Sequence, residues 1–516
     1  MRARIVYGGA AALLVLCLLG VRYAGQVSHY PVWIEPGLPA IVYEPDHVRG
    51  SDAARLPVLV LSHGFAGSGS LLGSLARSLA RQGFAVITFD SRGHGHNRRP
   101  FEGTARFVSE GMLDDLDAVV LWARVQPTYD GQRLAIGGYA EGGSLALTYA
   151  ASRDPGVGAV VAISGSGSLD GPYTPPNVLL VWAARDSSTL KAAARQHGAE
   201  LISSARAVLD RTYGSFERGS AVRLAEIDGS NHLSILHSGA AAREIASWLA
   251  EALAPVPGAG DFAFGDTRML WAALGLLAAL VLLWAMPELI APLCPQVPLP
   301  QLAQPWTGLG LIAASLAVSL ALLAAVDPLT ASGPLSAVPV SGGRDVLGLL
   351  AIAGVGLLTF GARGASIRSQ GLGDGRTWSA AVLLLGFVYV AGGMLWQPFW
   401  DPFLTASRLL PWLAATGLLL PWFGASEWLL RGASGSPSWP ASAARLLTLA
   451  VLAGGATAGL LPRLLLPILL TIGLVFAAFE VLALRISRVM PNPWLASLVQ
   501  AGWTGWLLVA FFPSES

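Results

Sequence analysis

Charge thins abruptly beyond Gly265. Of the 65 Asp, Glu, Lys and Arg residues, 45 lie in residues 1–265 and 20 in the 251 residues that follow. Soluble domains average about 25% charged residues, whereas this chain has 13%. A chain so divided has a nearly ordinary soluble half and a half whose apolar surface needs lipid. That pattern excludes a wholly soluble, disordered or nucleic-acid-binding protein. The net charge of +1 leaves no basic surplus for phosphate.

The spacing of the apolar runs predicts how the lipid half is built. Arg2 and Arg4 precede an apolar run from Ile5 to Val21. No small-x-small cleavage pattern follows it, so residues 1–28 read as an uncleaved membrane anchor. Residues 256–267 form a Pro/Gly-rich linker. Residues 268–516 hold about eight apolar segments near 20 residues each, an all-α polytopic membrane domain. Thirteen of the 17 tryptophans fall in this half, several near segment ends, where an aromatic belt belongs.

Arginines near the segment ends set an orientation. With the N-terminus inside, nine fall on the cytoplasmic side and five outside. The domain between the first two spans is then extracytoplasmic, on a bacterial inner or plasma membrane. The two cysteines, Cys17 and Cys294, sit in or beside apolar segments, so a disulfide framework is excluded. Glu427 and Glu480 are the acids closest to span interiors. Each precedes an arginine, Arg431 and Arg485, and pairing or snorkelling is the simplest expectation.

Residues 29–255 alternate short apolar runs with helical stretches. Strands are expected at Ala40–Tyr43, Val58–Ser62, Val86–Asp90, Leu134–Gly137, Ala159–Ile163, Val178–Trp182 and Val222–Ile227. Continuous apolar runs suit parallel strands covered on both faces. Helices between them complete βαβ units, so a mostly parallel central sheet with flanking helices is predicted.

Three motifs lie in this domain in a telling order. Residues 58–67 read VLVLSHGFAG, a strand ending in His63-Gly64 followed by Phe65. Residues 89–97 read FDSRGHGHN, a Gly-rich turn after the next strand. Residues 134–146 read LAIGGYAEGGSLA, a strand, a tight turn and a helix start. Further on, residues 178–186 end a strand in Asp186, and residues 228–233 carry His232.

Together these resemble the α/β-hydrolase superfamily, serine-hydrolase type, over about residues 38–253. The resemblance implies the α/β-hydrolase fold, a G-x-S-x-G elbow at Gly138–Gly142, an acid at Asp186 and a base at His232. It also implies an oxyanion hole formed by the N–H groups of Phe65 and Glu141. His94 and His96 belong to the family turn rather than to a metal site. No phosphate loop or metal cluster is evident, so no metal and no cofactor is expected.

The elbow departs from the family at the reacting atom. Ala140 stands at the nucleophile position, and a methyl group has no lone pair with which to form an acyl-enzyme. Ser144 is expected to point toward the sheet, and Ser68 and Ser70 to cap a helix, so neither replaces the missing hydroxyl. The family reaction is hydrolysis of an ester, amide or peptide bond. This chain is expected to be inactive as written, leaving open whether it is an enzyme. Its expected partners are the membrane and a small-molecule, lipid or peptide ligand. The alternative is a membrane transporter or assembly platform with an accessory ligand-binding outer domain.

Overall fold

The computed structural model describes residues 2–24, 27–45, 55–102, 108–153, 156–204, 207–253, 266–297, 305–325, 334–361, 371–431, 439–463 and 465–515. The expected linker lies outside the described residues except for Asp266 and Thr267. The chain forms two compact units. One comprises Leu19–Ala272 with Trp396–Pro402 and Pro513–Ser516. The other comprises Met1–Leu18, Ala273–Leu395 and Phe403–Phe512.

The first unit is built on a nine-stranded sheet in the order β1-β2-β4-β3-β5-β6-β7-β9-β8. The strands are β1 Ser28–Glu35, β2 Leu38–Glu44, β3 Leu56–Ser62, β4 Ala85–Phe89, β5 Tyr129–Tyr139, β6 Ala159–Ile163, β7 Val178–Ala183, β8 Thr212–Tyr213 and β9 Val222–Ile227. From β4 to β9 every neighbouring pair is parallel. The β1–β2, β2–β4 and β8–β9 pairs are antiparallel. All seven expected strands are present. The edge strands β1 and β8 are additional, because β1 carries Pro31 and alternates in exposure, and β8 has only two residues.

Alternation along β3 explains the layering. Leu56, Val58 and Val60 enter one core, and Leu59 and Leu61 enter the other. Every β3 residue is buried, and full burial of such a side chain contributes about 1.5–3 kcal/mol. Helices α3 Glu110–Val125 and α4 Glu141–Ser152 cover the first face. Helices α2 Gly73–Ala80 and α6 Gly239–Leu253 cover the second. Helix α5, Ser188–Leu201, starts where the Ser187 hydroxyl accepts from the Leu190 N–H. The turns carrying the motif residues follow β3, β5, β7 and β9, all at the same edge of the parallel strands.

The second unit is helical. Among the described residues of the whole chain, seven helices are long and apolar enough to cross a membrane, beginning with Ile5–Tyr23. Six of them lie between Arg268 and Phe511. Two further helices, Arg344–Gly361 and Trp439–Thr457, occupy the remaining expected segments. The Glu427 carboxylate pairs with Arg431, as its spacing suggested. Glu480 does not pair with Arg485; it takes two hydrogen bonds from Arg431, at 3.0 and 2.9 Å, while Arg485 pairs with Glu288. Arg445 and Gln500 close this buried network onto Glu427. The four helices involved thus share their charges, which removes the cost of an isolated ion in an apolar medium.

Candidate functional site

The turn after β5 explains why glycines surround Ala140. A Cβ on Gly142 would lie 2.1 Å from the Ser62 carbonyl oxygen, and one on Gly138 would lie 2.3 Å from the Gly142 carbonyl. Only glycine permits so close an approach. Ala140 itself has φ 51° and ψ −113°, a conformation that an L-residue adopts rarely. The Ala140 N–H donates to the Ile163 carbonyl at 2.8 Å, which ties the turn to β6. The methyl group is thereby held at the apex of a sharp strand-to-helix turn.

His232 and Asp186 meet beside it. The His232 Nδ1 donates to Asp186 Oδ1 at 2.7 Å. The other carboxylate oxygen accepts from Ser164 Oγ at 2.6 Å and from the Ala183 N–H at 2.9 Å. Burial alone would raise the Asp186 carboxyl, but the bonds from His232, Ser164 and Ala183 outweigh it and hold the group below its usual value. The Tyr139 hydroxyl donates to the His232 carbonyl at 2.8 Å, and the two rings lie 5.1 Å apart. With Nδ1 committed to Asp186, Nε2 is left as the ring's available base.

Ala140, Glu141, Ser144, Ser164, Leu190 and His232 all line one cavity of about 280 Å³. Phe65 does not line it, but its neighbour Gly64 abuts the elbow: a Cβ there would lie 3.1 Å from the Ala140 Cβ. Neither the Phe65 nor the Glu141 N–H has an acceptor among the described residues. The Glu141 carboxyl is buried, its Oε1 has no partner among the described residues, and desolvation pushes it up to about 8.

Two sequence expectations need correction. Ser144 lines the cavity rather than facing the sheet; its Oγ donates to the Ala140 carbonyl and accepts from the Ser166 N–H. It sits one turn into α4, on the face that lines the opening. Ser68 makes no side-chain capping bond; its hydroxyl accepts from the Asp401 N–H. Ser164 escaped sequence reading altogether; a serine directly after an apolar strand is too common to single out.

The turn after β4 is structural. Arg92 and Arg99 pair with the buried Asp115. His94 Nε2 accepts from the Ala66 N–H, and His63 Nε2 accepts from the Ser91 N–H. No group of three His, Cys, Asp or Glu residues among the described residues could hold a metal ion.

The family model for the alpha/beta hydrolase fold matches residues 57–248. That match coincides with the strand order and with the elbow. The α/β domain belongs to the α/β-hydrolase superfamily.

Among curated proteins, an uncharacterized 31.7 kDa protein from the traX-finO intergenic region of Escherichia coli is 35% identical over 108 residues. The aligned stretch is 20% of this chain, and the chain spans about a third, 36%, of that relative's length. Solved α/β-hydrolase structures align at low identity. An esterase from Pyrobaculum calidifontis is 19% identical, with TM-score 0.34, over 49% of this chain and 94% of its own. A dienelactone hydrolase from Anabaena variabilis is 19% identical, with TM-score 0.32, over 44% of this chain and 99% of its own.

Proposed function

We propose that this is a membrane-bound α/β-hydrolase scaffold that has kept its acid, base and oxyanion amides but lacks its nucleophile. On this reading the domain is extracytoplasmic and holds a small-molecule, lipid or peptide ligand without turning it over. The observation that carries the reading is the pairing of Ala140, in the elbow conformation, with an intact His232–Asp186 hydrogen bond on one cavity. A triad without its hydroxyl loses on the order of 10⁶-fold in turnover, while oxyanion donors and binding contacts persist.

The chemistry follows from what remains. An ester, amide or peptide carbonyl bound beside Ala140 would aim its oxygen at the N–H groups of Phe65 and Glu141. His232 would face the space where a hydroxyl belongs, with no proton to take. The cavity offers the ligand the polar atoms of Ser144, Ser164, Ser166 and His232. The test is reaction with a serine-directed fluorophosphonate. The chain as it stands should remain unlabelled and Ala140→Ser should be labelled; labelling of the unchanged chain would refute the reading.

A second reading, a transporter or assembly platform with an accessory outer domain, is supported by the buried Glu427–Arg431–Glu480–Arg445–Gln500 network in the helical unit. Ionisable groups inside spans are functional candidates by default. Transport of a solute abolished by Glu427→Gln, with the elbow irrelevant, would favour it.

A further inference from the structure

The loop that presents the Phe65 N–H is held from outside the contiguous α/β segment. Directly after Phe65, the Ala66 N–H donates to His94 Nε2 at 3.1 Å. Two residues later, Ser68 Oγ accepts from the Asp401 N–H at 3.3 Å. His94 sits in the turn between Asp90 and Asn97, and that turn is held in its own right. His96 Nδ1 lies 3.3 Å from Asp401 Oδ2. The Ser514 N–H donates to the Gly93 carbonyl and the Phe101 N–H donates to the Ser514 carbonyl, both at 2.7 Å. Asp401 and Ser514 belong to Trp396–Pro402 and Pro513–Ser516, the two late segments of the same compact unit.

We infer that Asp401 is a positioning residue for the oxyanion loop, so that the site's geometry depends on the short segment joining two long apolar helices. The inference rests on the proposed role of the Phe65 N–H. Asp401 reaches the loop twice: its backbone N–H donates to Ser68, and its carboxylate, through His96, reaches the turn that holds Ala66. A side-chain substitution therefore cuts only the second link. On its C-terminal side Phe65 is followed by a loop fixed at Ala66 and Ser68, and also by the Gly67 N–H on the Gly64 carbonyl and the Gly69 N–H on Asp90 Oδ1. An oxyanion donor acts only if it is already aimed when charge develops, and a misplacement near 1 Å costs about 10²-fold in rate.

The test uses the full-length chain carrying Ala140→Ser, with Asp401→Ala or Asp401→Asn added. Two readouts are taken: the time course of fluorophosphonate labelling, and hydrogen–deuterium exchange over residues 63–72 and 90–101. Asp401→Ala should slow labelling about 10- to 100-fold while the fraction finally labelled is unchanged, and should speed exchange at Ala66 and its neighbours. Asp401→Asn keeps an acceptor for His96 and should stay within about threefold of the parent. A merely structural role would lower the final labelled fraction rather than the rate, and that result overturns the inference, as does unchanged labelling with unchanged exchange. If Ala140→Ser alone is not labelled, the nucleophile reading fails, and exchange by itself decides: faster exchange supports the brace and unchanged exchange overturns it. Should Asp401→Ala fail to fold, His96→Ala removes the same pair from the other side and gives the same readouts.

Discussion

His232 Nδ1 and Asp186 Oδ1 lie 2.7 Å apart, although 46 positions separate them in the chain. With Ser164 and the Ala183 N–H on the second oxygen, the carboxylate is fixed on both sides. This is the arrangement that orients a general base and stabilises its charged form. Asp186→Asn, introduced with Ala140→Ser, would hold His232 in the wrong tautomer. Labelling should slow by about four orders of magnitude with the fold intact. A rate within tenfold of the parent would mean that Asp186 does not serve His232.

Ala140 holds a strained backbone conformation at the elbow. Its φ of 51° with ψ −113° is a region glycine occupies freely. Ala140→Gly should therefore stabilise the domain by about 1 kcal/mol, the relief of strain exceeding glycine's added unfolded-state entropy. The measurement is the denaturation midpoint of the two proteins. Destabilisation by glycine would mean that the alanine methyl contributes packing larger than the strain.

Glu141 makes stability fall as pH rises. Its folded-state value is pushed from the usual 4.5 to about 8 by burial. Between those values the folded state holds a proton that the unfolded chain has released. The unfolded state binds fewer protons there, so unfolding becomes easier with increasing pH, by up to about 1.4 kcal/mol per unit. Below pH 4.5 both states are protonated and the effect vanishes. Glu141→Gln should flatten the dependence of melting temperature on pH between 5 and 8. An unchanged slope in Glu141→Gln would mean that other groups carry it.

The two late segments of the α/β unit bear on topology. Since Trp396–Pro402 and Pro513–Ser516 belong to the unit that holds the sheet, the Asp401 loop, the C-terminus and the domain should share one side of the membrane. The arginine distribution predicts that this side is extracytoplasmic. Reporters fused after Ser516 and inserted near Gly50 should both report an extracytoplasmic location, and one at Gly371 a cytoplasmic one. A cytoplasmic signal at Ser516 would contradict the assignment.

The parts legible in the sequence were those with a local cause. Strands β3, β4, β6 and β7 announce themselves because a parallel strand covered on both faces is apolar nearly throughout, as Leu59 and Val60 show by entering opposite cores. The elbow was legible because backbone crowding admits only glycine at 138 and 142. The acid and base were placed by chain order. Edge strand β1 was not, since Pro31 and an exposed face blur its pattern. The Ser68–Asp401 bond spans 333 positions, and no local signal on either residue marks the other. Glu480's choice of Arg431 over Arg485 likewise depends on helix packing rather than on spacing.

One missing oxygen separates Ala140 from a nucleophile, and intact mass after exposure to a fluorophosphonate reads it directly. The unchanged chain should gain no mass. Ala140→Ser should gain one adduct, mapped to residue 140, and Ala140→Ser with His232→Ala should gain none, because the base that takes the hydroxyl proton is absent. A correctly folded Ala140→Ser protein without an adduct, or an adduct on the unchanged chain, would contradict the claim that this is a hydrolase site lacking only its nucleophile.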